Sequence, residues 1–211
     1  MNAAAWVVLG GAGVVAVADW VAVWRRPALE RVETVLKPLV LVLLIVCALV
    51  LEPSDDGQRA WFVVALVLSL AGDVFLLPSV DRFVPGLASF LLAHVAYIVG
   101  LTVDDGPLWP AVLVLAVAPV AIRVVGAVRR NEPELTVPVV VYITVIAAMV
   151  AMALRSGDVL AAVGACTFAV SDSILALDRF DRHRRWMPTA VMVTYHLAQG
   201  LLVVSVASTV P

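Results

Sequence analysis

"LSLAGDVFLL", residues 68–77, places one carboxylate, Asp73, in a run where eight of ten residues are aliphatic, aromatic or glycine. The surroundings decide what such a run is. The 211-residue chain is 63% hydrophobic and 14% charged, with a mean hydropathy of +1.06. A soluble domain carries about 25% charged and about 45–50% apolar residues. The excess predicts an all-α integral membrane protein, because an open strand cannot satisfy its backbone in lipid whereas a helix can.

A span needs about 20 mostly apolar residues. Breaks at proline, glycine and charge clusters predict eight: 4–24, 35–51, 60–77, 85–101, 109–127, 134–154, 157–177 and 188–208. Short connections leave no room for a soluble domain. Ala16-Val17-Ala18 resembles a signal-peptide cleavage site, but no basic residue precedes Arg25. Residues 4–24 therefore read as a retained first span. Twelve of the fourteen Lys and Arg residues fall in the first, third, fifth and seventh connections or beside them. The positive-inside rule puts those connections in the cytoplasm and both termini outside. The basic stretch "LDRFDRHRRW" (177–186) is then a topology signal, and a net charge of −2 gives no reason to expect nucleic acid. Cys47 and Cys166 lie in apolar runs. They read as small buried hydrophobes, with no disulfide or zinc pattern.

"AGDVFLLPSVDRF" (71–83) and "VSDSILALDRF" (170–180) share a small residue, Asp, an apolar stretch and Asp-Arg-Phe. Asp73 and Asp172 are 99 positions apart, and Pro38 and Pro138 are 100 apart. The constant offset predicts two parallel four-helix repeats, 1–104 and 105–211, related by an axis along the membrane normal. Spans 3 and 7 are then equivalent, and their aspartates face each other across that axis.

Ionisable residues inside a span are costly and face a protein interior or a water-filled cavity. With the termini outside, Asp19, Asp73, Arg123 and Asp172 lie near the inner ends of spans 1, 3, 5 and 7. Lys37, Tyr142, Tyr195, His196 and Gln199 lie in the inner halves of spans 2, 6 and 8, with His94 and Tyr97 near the middle or outer half of span 4. Asp19 and Arg123 are candidates for a structural ion pair, and Asp73 and Asp172 for pairs with Arg82 and Arg179. His94 and Tyr97 share a face at i, i+3, as do Tyr195 and Gln199 at i, i+4. His196 is about 100° round from Tyr195, so the two cannot both point squarely at one cavity. Gly72, Ala71, Gly86 and Ser89 predict close helix contacts.

The ordered set "KPL" (37–39), "LSLAGDVFLL", "GLASFLLAHVAYIVGL" (86–101), "VYITVIAAM" (141–149), "GACTFAVSDSILALDRF" (164–180) and "YHLAQGLL" (195–202) resembles the YhhN-type lysoplasmalogenases. That family is multi-pass. It includes enzymes that hydrolyse the vinyl ether of lysoplasmalogens to a fatty aldehyde and a glycerophospho-base. The resemblance implies catalytic roles for Asp73, His94, Tyr97, Asp172 and Tyr195. Lys37, Arg123, Tyr142, His196 and Gln199 are expected around the substrate, a lysophospholipid within the bilayer.

Vinyl ethers hydrolyse by acid, so the site needs a proton donor, a group that stabilises positive charge, and water. Burial disfavours the charged form of a carboxyl, and a like charge nearby does so further. Paired carboxylates whose environments split their roles supply the first two needs. Which aspartate donates the proton is left open by the sequence. No H-E-x-x-H, G-x-S-x-G, P-loop or dinucleotide fingerprint is present, so neither a catalytic metal nor a cofactor is expected. The alternative is a small proton-coupled transporter, to which paired intramembrane aspartates and a parallel repeat are equally suited.

Overall fold

The computed structural model describes residues 1–101, 112, 114–116 and 118–207. Among them are eight α-helices: α1 Ala3–Trp24, α2 Glu30–Val50, α3 Asp56–Phe75, α4 Phe83–Gly100, α5 Ala118–Asn131, α6 Thr136–Arg155, α7 Val159–Phe180 and α8 Met187–Ser205. Seven are long and apolar enough to cross a membrane. The exception is α5, whose 14 described residues reach only about 21 Å against a hydrocarbon core of about 30 Å. Residues 109–111, 113 and 117 of the expected fifth span lie outside the described residues, as do residue 208 of the eighth and the expected repeat boundary at 104/105.

Helix starts follow local chemistry. The side chains of Asn2, Asp55 and Asp158 accept backbone N–H groups at the first turns of α1, α3 and α7, satisfying donors that a helix leaves open there. Helix α2 begins five residues before the expected apolar run. Its first turn carries Glu30 and Glu33, which favour a helix N-terminus, and Glu33 is buried in a pair with Arg26.

The helices form one bundle. Sequential neighbours pack on each other from α1 to α4 and from α5 to α8; α1, α2 and α3 also meet α8, and α4 meets α6. The backbones of α3 and α7 do not come within 8 Å of each other, Cα to Cα, among the described residues. Small residues set the spacing: a Cβ on Gly72 of α3 would lie 2.6 Å from the Phe90 ring of α4. At the face holding the first helix starts, Asn2 donates to the Val50 carbonyl, and Ser54 N–H donates to that of Val206. The end of α2 and the α2–α3 connection thus hold the start of α1 and the end of α8 on one side.

Cys47 is buried, but Cys166 is exposed, so the expectation of two buried cysteines is corrected. An apolar run bounded by lipid need not turn each residue inward, because lipid tails are as apolar as a core.

Candidate active site

Asp73 lies two residues before the end of α3 and is 1% exposed, facing Lys37 of α2 and Tyr195 of α8. Lys37 Nζ is 3.4 Å from its Oδ1, and the Tyr195 hydroxyl donates to Oδ2 at 2.9 Å. Asp172 of α7 has equivalent company from α6 and α4. Tyr142 donates its hydroxyl to Asp172 Oδ2, and His94 Nε2 stands 3.7 Å from that oxygen. Each aspartate therefore meets one partner from its own half of the chain and one from the other half.

His94 Nδ1 is 2.6 Å from the Phe90 carbonyl oxygen. A carbonyl only accepts, so Nδ1 carries the proton. Nε2 then offers a lone pair to Asp172 when the ring is neutral. At 3.7 Å the two atoms are beyond hydrogen-bond reach, and Nε2 has no hydrogen-bond partner among the described residues.

Both aspartates line one cavity of about 120 Å³, room for several waters. Arg26, Lys37 and Asp178 also line it, with Ser171 and Tyr195. Exposure grades along it: the Arg26 side chain is 34% exposed and Asp178 17%, against 5% for Lys37. The mouth is therefore at the end where α1 and α7 finish, and Asp73 is at the bottom. Edge-on contacts among Phe90, Phe168, Tyr195 and His94 back the inner wall. An aromatic wall of this kind keeps the local surroundings apolar.

Other expected residues stand elsewhere. Tyr97 donates to Gln199 Oε1 at 2.5 Å and contacts Phe62, a turn away from the aspartates. His196 Nδ1 accepts the Trp20 indole N–H at 3.0 Å, and the ring faces a groove between α1, α2 and α8. Tyr195 and His196 thus look into different spaces. Arg123 is half-exposed and pairs with Asp181 at 2.7 Å, away from the cavity. The expected Asp19–Arg123 pair does not form: Asp19 is on α1, and neither of its oxygens has a hydrogen-bond partner. Asp73 pairs with Lys37 in place of Arg82, and Arg179 with Glu132 in place of Asp172.

Sequence reasoning assigned Arg26 to topology alone and passed over Ser171 and Asp178. Asp178 falls six residues after Asp172, and Arg26 lies in a loop whose fold no local spacing reveals. Among the described residues, no three His, Cys, Asp or Glu side chains stand close enough to hold a metal ion.

A family model described as the YhhN family matches residues 32–206. The chain belongs to the YhhN family. The match spans every residue expected at the site, from Lys37 to Gln199. The lysoplasmalogenase TMEM86B of Homo sapiens is 33% identical over 157 residues, covering 74% of this chain and 67% of its own. A lysoplasmalogenase of Mycobacterium bovis is 34% identical over 172 residues, 77% of this chain and 66% of its own; one of Mycobacterium tuberculosis matches equally. The chain therefore spans about two thirds of the length of these YhhN relatives. No solved structure matches.

Proposed function

We propose that this protein hydrolyses the vinyl ether bond of lysoplasmalogen by acid catalysis from its paired aspartates. The observation that carries the reading is the meeting of Asp73 and Asp172 on one cavity wall, each held by a tyrosine hydroxyl. A protonated carboxyl gives its proton to the β-carbon of the vinyl ether. Positive charge develops on the α-carbon and ether oxygen, and the second carboxylate stabilises it. Water adds to the α-carbon and returns a proton to the first carboxyl. The hemiacetal then breaks its bond to the glycerol oxygen, releasing a fatty aldehyde and a glycerophospho-base such as glycerophosphoethanolamine or glycerophosphocholine. His94 stands beside Asp172, and Tyr142 and Tyr195 orient the two carboxyls.

The two-repeat architecture belongs to the same reading. It is supported by the reciprocal packing of α2 on α8 and of α6 on α4, and by the reciprocal partners of the two aspartates. Eight spans, with both termini outside a bacterial plasma membrane, are supported by the basic residues gathered where α1, α3, α5 and α7 end. The deciding experiment is mass spectrometry of lysoplasmalogen before and after addition of detergent-purified protein. Aldehyde release without vesicle or gradient is expected. Intact lipid would overturn the reading, and transport of a solute by the same protein only in sealed vesicles would favour a carrier.

A further inference from the structure

A second cavity, apolar, runs between α4, α5, α6 and α7. Its walls are aliphatic and aromatic almost throughout, and its polar groups are already engaged. Ser173 Oγ donates to the Ala169 carbonyl at 2.7 Å, and Tyr142 donates to Asp172. Its lining overlaps that of the polar cavity at four residues: Leu76, Phe90, Leu175 and Asp172. Asp172 alone of these is ionisable; Asp73 lines only the polar side. The Asp172 side chain is 14% exposed against 1% for Asp73, as expected of a group standing where two spaces meet.

We propose that the apolar slot takes the hydrocarbon chain of the lipid while the polar cavity takes its phosphate headgroup, so that the bond joining them lies against Asp172. This rests on the reading of the site as a lysophospholipid site and extends it to an orientation. On α7, Asp172 is six residues from Asp178, about 9 Å along the axis, which leaves space for a glycerol and a phosphate below the mouth. Arg26 and Lys37, each also paired with a carboxylate, Glu33 and Asp73, are the positive groups beside that phosphate, and Asp178 is the negative group beside an ammonium beyond it. The slot reaches Phe83, Val139 and Phe180 on the side of the basic face, and in the other direction it follows α6 from Tyr142 to Val150, about 12 Å. Laid along the part beyond Tyr142, the chain points toward the bilayer interior and the headgroup toward the basic face, the orientation the lipid already has in a leaflet. In this pose Asp172 is the carboxyl that meets the vinyl ether. Asp73, beside Lys37, lines only the headgroup cavity.

The test uses a lysophospholipid with a saturated ether link, which acid does not cleave, carrying a diazirine about eight carbons along a hexadecyl chain, a reach that matches the slot beyond Tyr142. Irradiated with the detergent-purified wild-type protein, it is expected to label α6 between residues 143 and 150. Labelling confined to the α1–α2–α8 groove, or no labelling above that by a headgroup-free hydrocarbon diazirine, would overturn the proposal. Ala147→Phe, which fills the slot beyond Tyr142, is expected to weaken binding of the hexadecyl ether lipid by about tenfold or more, the loss of a few buried methylenes. Its butyl homologue, too short to reach residue 147, should bind within about twofold of wild type, which also reports that the variant is folded. Equal weakening of both chains in a variant that retains the wild-type Tm, or no weakening of either, would count against the slot. Because the probe is never hydrolysed, a protein that labels as expected yet releases no aldehyde would fail the hydrolase reading alone.

Discussion

Lys37 and Asp73 form an ion pair 3.4 Å apart with both side chains nearly fully buried. Removing one member of such a pair strands the other charge at a cost of roughly 3–5 kcal/mol. Lys37→Met is expected to lower the thermal midpoint of the detergent-purified protein well below wild type. The double variant Lys37→Met/Asp73→Asn should recover most of that loss. A single variant as stable as wild type would show that no charge is paired there.

Substituting either aspartate separates its chemistry from its packing. Asp172→Asn, the nearer group to the scissile bond in the proposed pose, is expected to cut aldehyde release by about 10²–10⁴-fold. Asp73→Asn should also lower kcat, because the positive charge it is proposed to stabilise develops only in the transition state. The measurement is steady-state kinetics on folded variants. Wild-type turnover by Asp172→Asn would remove it as the donor.

Tyr142→Phe deletes one hydroxyl and leaves the ring against His94, at a centroid distance of 5.3 Å. A hydrogen bond to an ionised carboxylate is worth about 1.5–3 kcal/mol. Turnover is expected to fall by roughly ten- to a hundredfold, with a fold preserved by circular dichroism. Tyr97→Phe, whose hydroxyl goes to Gln199 instead, should change turnover far less.

Two glycines give a paired stability test. An added Cβ on Gly72 meets Phe90 at 2.6–2.7 Å, whereas one on Gly200 meets nothing within 4 Å. Gly72→Ala is expected to destabilise by about 1–3 kcal/mol through forced repacking and to disturb both cavities, since Phe90 lines each. Gly200→Ala should match or exceed wild-type stability, because alanine is the better helix former. Thermal unfolding in detergent reads both.

Arg123→Gln breaks a half-exposed pair with Asp181, of a class worth about 0–1 kcal/mol. Turnover within about twofold of wild type is expected, because neither cavity is lined by Arg123. A marked rise in KM would instead return it to the headgroup site.

Most of the helices were legible because an apolar run of span length, bounded by charge, has few alternatives. The polar extension of α2 was not, because burial of Glu33 depends on Arg26 folding back from the preceding loop. An expected depth for the intramembrane polar residues was readable from direction and spacing. Their partners were not: His94 and Tyr97 share a face, yet one meets Asp172 on α7 and the other Gln199 on α8. Helical spacing fixes a direction, but only the bundle decides what stands there. The two cavities were invisible for the same reason. A slot lined by residues of four helices leaves no local pattern in any one of them.

The crossed supply of partners has a consequence for dissection. Tyr195 reaches from the last helix to Asp73, and His94 from the fourth to Asp172, so each fragment of a chain cut between α4 and α5 would carry an acid lacking its long-range partner. Such fragments would be inert apart, and expressed in one bilayer they would regain function only by complementation, at both acids together.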